Sequence, residues 1–200
     1  MILWNAFGTE SHPAYKALEA SNGVRQYDFL RSLVETALHT KQCWLSHEVI
    51  KSLNYHAITC LHISPGAYRP CEVTVGEHNP VPYYAVPTHM DSFINQVNSK
   101  WASKDPIELA SFVLWQLNYI HPFINGNGRT ARAAAYFVLC TKLGGLLPGE
   151  KLLPELLREN REEYIVGLKF ADQSFPDEGS KGLSKLHDLI SRLVDEQVSS

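Results

Sequence analysis

HPFINGNGRTAR, residues 121 to 132, is followed by a run of strong helix formers with no breaker, Ala133-Ala134-Ala135-Tyr136-Phe137-Val138-Leu139. This pattern predicts a helix beginning near Gly128. Glycines ahead of a helix let the backbone bend until its amide N–H groups converge, and the helix terminus adds partial positive charge. Together they make an anion site. Arg129 and Arg132 sharpen the case, because cations in a first turn oppose the macrodipole unless a bound anion compensates. Two arginines on one face suit a polyphosphate better than a lone phosphate. His121 can then act as a base beside a phosphoryl group. The competing structural reading is a glycine-rich turn between two helices with incidental arginines.

Working outward, Asp105-Pro106-Ile107-Glu108 is a helix start, with a capping acid, Pro at the first position and Glu at the third. Ile107, Ala110, Val113, Leu114, Leu117 and Ile120 form its apolar stripe, so the helix ends by delivering His121. Two helices joined by the 121–132 loop are expected at the centre of a mainly α domain. Upstream, Tyr27, Leu30, Leu33, Val34, Ala37 and Leu38 place a helix from Val24 to about Thr40, and Ser46 is an N-cap for another, His47 to about Leu61. Before them, Gly8, Pro13 and Ser21-Asn22-Gly23 read as turn formers, and residues 1–24 as an N-terminal extension. Cys71 to Val75 alternates as a strand would, 76–80 is turn chemistry, and Val81 to Val86 can return as a second, proline-bearing edge strand. Helices are expected from Met90 to about Trp101, from Leu152 or Pro154 to Phe170, and from about Leu183 to Gln197. Arg158, Arg161, Glu162 and Glu163 read as a solvated face.

Two hundred residues, 44% hydrophobic and 20% charged, suit one domain with a sizeable core. A formal net charge of −3 gives no electrostatic reason to expect nucleic acid, and no apolar run is long enough to span a bilayer. The N-terminal residues lack a signal-peptide pattern, and Cys43, Cys60, Cys71 and Cys140, without a CxxC pair, read as buried free thiols. A cytoplasmic location is the expectation.

The 121–132 stretch resembles the signature of the Fic family of the Fic/Doc superfamily, histidine-proline-phenylalanine-x-acid-glycine-asparagine-glycine-arginine-x-x-arginine, with Asn125 in place of the acid. The resemblance covers roughly residues 30 to 195, so residues 25–200 are expected to be a Fic domain. It implies the Fic fold, six to eight helices around a central helix–loop–helix with one β-hairpin flap. It also implies a protein adenylyltransferase moving AMP from ATP to a Ser, Thr or Tyr hydroxyl of a target protein, with Mg²⁺ as cofactor.

On that resemblance His121 is the catalytic base, and Gly126, Asn127, Gly128, Arg129 and Arg132 bind the nucleotide phosphates. Asn127 would contribute its side-chain amide, and Val73, Thr74 and Val75 the flap edge that holds the target peptide by strand addition. Asn125 would be a weak metal ligand, since hard cations prefer carboxylates, and Asn125→Asp is expected to raise activity. A weakly active or inactive nucleotide-binding protein that regulates a partner, or transfer of a different phosphate-containing group, stays open. A homodimer or regulatory partner is also open. Ser174 to Gly179 has the letters of the family's autoinhibitory helix, but Pro176 argues against a helix there.

Overall fold

The computed structural model describes residues 7–76 and 78–200, without the side chains of Pro176 and Glu178. Its helices are α1 Pro13–Thr40, α2 His47–Ile58, α3 Val86–Lys100, α4 Pro106–Ile120, α5 Asn127–Leu143, α6 Leu153–Glu159, α7 Arg161–Glu178 and α8 Ser184–Val198. The central pair is α4 and α5, which pack along each other. Apolar residues surround both, and from Ala133 to Cys140 every side chain of α5 is buried. A helix with no polar face must be enclosed by others. Helices α1, α2 and α6 cover α5, while α3, α7 and α8 cover α4.

Local chemistry starts α4 as its sequence predicts: the Asp105 carboxylate accepts from the N–H groups of Ile107 and Glu108. Ser46 likewise caps α2 by accepting from Val49 N–H at 3.2 Å. Elsewhere tertiary contacts override local preference. Helix α1 begins at Pro13 and runs unbroken through Ser21-Asn22-Gly23. Asn22 is fully buried, and its Nδ2 donates to the carbonyl of Thr59 at 2.9 Å, at the end of α2. Packing on α2 turns a turn former into a helix-to-helix tie.

Among the described residues the expected hairpin shrinks to a single antiparallel bridge, Val75 to His78. Val81 to Val86 makes no return strand, and Tyr83–Ala85 is a 3-10 turn leading into α3. Pro80 and Pro82 have no N–H to donate to a ladder. The helix expected to end at Phe170 is two helices broken at Asn160, and α7 continues to Glu178 through Pro176. Phe175 anchors that extension by stacking on Trp115, with ring centroids 4.3 Å apart, and on Phe112. The Ser174–Gly179 stretch is therefore helical up to Glu178. Phe175, Ser180 and Leu183 face Lys104, Glu108 and Leu109, at the end of α4 away from His121. Of the cysteines, all free, Cys140 is buried but Cys60 is exposed, because it lies in the turn beyond α2. Among the described residues no helix is long and apolar enough to cross a membrane.

Candidate active site

The loop between α4 and α5 is held from within and from both sides. His121 closes α4 in the left-handed region at φ 52, its N–H donating to the Leu117 carbonyl at 3.1 Å. Asn127 clamps the loop: its Oδ1 accepts from Phe123 N–H at 2.9 Å and its Nδ2 donates to the Phe123 carbonyl at 2.8 Å. Both ends of that amide are thereby engaged, so the side chain is not available to a phosphate as expected. What Asn127 keeps is its backbone N–H. Phe123 is fully buried beneath the loop.

Two residues that sequence reading did not single out fix the loop's path. Asn54, fully buried on α2, donates from Nδ2 to the Asn125 carbonyl at 3.0 Å and to Thr130 Oγ1 at 3.2 Å, and its Oδ1 accepts from Gly66 N–H. The available signal was a polar residue inside the apolar stripe of Ile50, Leu53 and Ala57. Arg69, 3% exposed, donates from Nε to the His121 carbonyl at 2.8 Å and also reaches the carbonyls of Cys71 and Val81. Its backbone N–H meets the Pro122 carbonyl at 2.9 Å. Arg69 thus ties the 71–81 segment to the loop; in sequence it stood only as part of the stretch PGAYRPCEVTV, which resembles the entry to the Fic flap.

Gly126 must be glycine on two counts. Its φ is +76°, and a Cβ there would sit 2.5 Å from the Ile58 Cγ2. It is the N-cap of α5 and supplies no side-chain cap, and the first intrahelical bond runs from Thr130 N–H to the Gly126 carbonyl. The N–H groups of Asn127, Gly128 and Arg129 are consequently the open donors of a 17-residue helix, a ready anion cradle.

A cleft of about 760 Å³ opens beside this helix end, and His121, Gly128, Arg132 and Val75 all line it. Burial pushes the His121 imidazole down to about 4. The backbone of Asn118 pulls the other way, and the neighbouring His78 and Arg69 side chains add to the lowering. His121 is therefore neutral at pH 7, the form that accepts a proton. Its buried Nδ1 has no partner at good hydrogen-bond geometry among the described residues, the Asn118 backbone being only a weak one. Arg132 is also lowered, chiefly by burial, and it contacts the hydroxyl of Tyr164, itself pushed up to about 12 by burial.

Arg129 and Asn125 face the other way. Arg129 donates to the Ala57 carbonyl at 2.9 Å and to Asn125 Oδ1 at 3.0 Å, and it pairs with Glu19 of α1 at 3.1 Å. Asn125 Nδ2 donates to Glu10 at 3.0 Å. The two arginines expected to share one polyphosphate are thus divided between opposite sides of the loop. On the flap, Val73 and Thr74 lie outside any ladder among the described residues, leading to Val75 at the cleft. Arg158 and Arg161, expected to be mere surface, also line the cleft.

Residues 44–139 match the Fic/DOC family. Protein adenylyltransferase Fic of Drosophila willistoni is 30% identical over 162 residues, covering 79% of this chain and 30% of that protein. The protein of the same name from Nematostella vectensis is 32% identical over 123 residues, 58% of this chain and 28% of the relative. The chain spans less than a third of the length of these relatives. A Fic domain containing signaling protein from Bacteroides thetaiotaomicron superposes with a TM-score of 0.74 at 19% identity, over 91% of this chain and 71% of that one. At that identity the likeness speaks for the fold.

Proposed function

From the premise that this chain belongs to the Fic/DOC family, we propose that it is a protein adenylyltransferase acting on a hydroxyl side chain of a target protein. The observation that carries this reading is the neutral His121 in one cleft with the uncapped start of α5. The hydroxyl oxygen of a target Ser, Thr or Tyr attacks the α-phosphorus of ATP while His121 takes its proton. The bond from that phosphorus to the α–β bridging oxygen breaks, and pyrophosphate leaves. The N–H groups of Asn127 and Gly128 stabilise charge on the α-phosphate oxygens, and Arg132 holds the departing phosphates. The unladdered residues Val73, Thr74 and Val75 offer a peptide edge that could align the target beside His121.

The residues present do not make a protein magnesium site. Asn125 is a neutral amide engaged at both ends, and no group of three or more His, Cys, Asp or Glu among the described residues could hold a metal. The magnesium expected with ATP would be held mainly by the phosphate oxygens.

The chain incubated with α-labelled ATP and a cell lysate should label protein, and His121→Ala should reduce transfer by roughly 10²–10⁴-fold, the range for a positioned base. A second reading, nucleotide binding without transfer, is favoured by the engagement of Asn125 and Arg129 with α1 and its preceding segment. Saturable ATP binding with no label on any protein would select it.

A further inference from the structure

We propose that Arg158 and Arg161, at the junction of α6 and α7, form with Arg132 a three-guanidinium subsite for the terminal phosphates of a nucleoside triphosphate, the place Arg129 does not take in this fold. This rests on the nucleotide reading above and names which residues read the length of the phosphate chain. The break at Asn160 separates the two helices, and both arginines flanking it line the cleft that holds His121 and Gly128.

The charge balance points to an anion. Arg132 is half-buried, with a guanidinium lowered in pKa chiefly by desolvation, and it makes no ion pair with a carboxylate among the described residues. Its neighbours Arg158 and Arg129 oppose its charge rather than compensate it. A desolvated guanidinium beside like charges is unfavourable unless something negative joins it. Arg161 also has no ion-pair partner among the described residues. Among the described residues Arg158 pairs only with Glu155, at 3.4 Å, with side chains 65% and 45% exposed, a contact a phosphate easily displaces.

The cleft is polar in a second sense. Another part of its lining carries Asp172, which accepts from Trp115 Nε1 at 2.8 Å and lies 3.8 Å from His78 Nδ1. A carboxylate there repels phosphate, while the apolar lining from Ile165 and Leu168 suits a nucleobase. The nucleotide is thereby oriented, with its phosphate tail toward the arginines and its base along α7.

The test is equilibrium binding of a non-hydrolysable ATP analogue, ADP and AMP to the full chain and to Arg158→Gln, Arg161→Gln and the double variant. Thermal unfolding of each serves as the folding control. The double variant should bind the triphosphate about 30-fold more weakly, ADP less so, and AMP within about twofold, since charge-assisted contacts to the outer phosphates are lost. Unchanged triphosphate affinity in a folded double variant overturns the subsite alone, as does an equal loss for AMP. Reduced protein labelling with intact triphosphate binding also overturns it, assigning the arginines to the target protein. If the unaltered chain binds none of the three nucleotides, the subsite and the nucleotide reading fall together.

Discussion

Arg129 and Arg132 are three residues apart on one helix, yet they live in different media. Arg132 stands in the cleft against Tyr164, with no carboxylate partner among the described residues. Arg129 is enclosed by the Ala57 carbonyl, Asn125 and Glu19, groups that leave its charge satisfied. The loop therefore has a working side, facing α6 and α7, and an anchoring side, facing α1 and α2. The same residue type lines an open cleft on one side and holds structure on the other, because what surrounds a guanidinium decides what it can still attract.

The anchoring side should break most completely at Gly126. Gly126→Val forces a β-branched residue into positive φ and drives Cβ toward Ile58, so a loss of ~3 kcal/mol or more in urea unfolding is expected. A loss under ~1 kcal/mol would mean the loop is not packed on α2 as described. Asn54→Ala comes next, at ~2 kcal/mol, because the Gly66 N–H and the Asn125 carbonyl lose their partner.

On the working side, protons are the probe. The folded pKa of His121 lies near 4, below its unfolded value of 6.5, so its neutral form stabilises the fold above pH 6.5. That contribution declines as pH falls from 6.5 toward 4 and is gone below it. It should amount to roughly 2–3 kcal/mol, and His121→Gln should flatten that part of the stability profile. An identical acid slope in the variant would place the titration on another group.

The comparison itself is tested by Arg129→Ala beside Arg132→Ala. The first should lower stability by ~1 kcal/mol, with ATP affinity little changed, since its pair with Glu19 is only partly buried. The second should weaken ATP binding by roughly 1.5–3 kcal/mol with little effect on unfolding. Reversed outcomes would exchange the two sides.

The smallest effect is expected at Asn125. Asn125→Asp gains an ion pair with Arg129 but sets a carboxylate against Glu10, where Nδ2 now donates at 3.0 Å. Alone it should change label transfer by less than about threefold; combined with Glu10→Gln it should raise transfer and its magnesium dependence. A large gain from the single substitution would show that Glu10 does not constrain this position.

Much of this was legible beforehand because it depends on local chemistry. The caps at Ser46 and Asp105, the delivery of His121 by α4 and the opening of α5 all follow from neighbours within a turn or two. Asn22, Gly23 and Pro176 misled for the opposite reason. Each has a local preference against helix; distant partners outweigh it through α2 for Asn22, which carries Gly23 along, and through the aromatic contact of Phe175 with Trp115 at the end of α7. The flap erred toward order, since alternation suggested a ladder that Pro80 and Pro82 cannot complete.

The sequence by itself determined the helical class, the glycine-bearing turn and the order of a histidine followed by two arginines. These are set by propensity, by allowed φ and by the order of residues along one turn. Only the tertiary structure decided which arginine faces the cleft, that the Asn127 amide closes on Phe123, and that Arg158 and Arg161 line the same cleft from elsewhere in the chain. Those outcomes depend on what lies across from a side chain, and that partner is chosen by how helices pack rather than by spacing along any one of them.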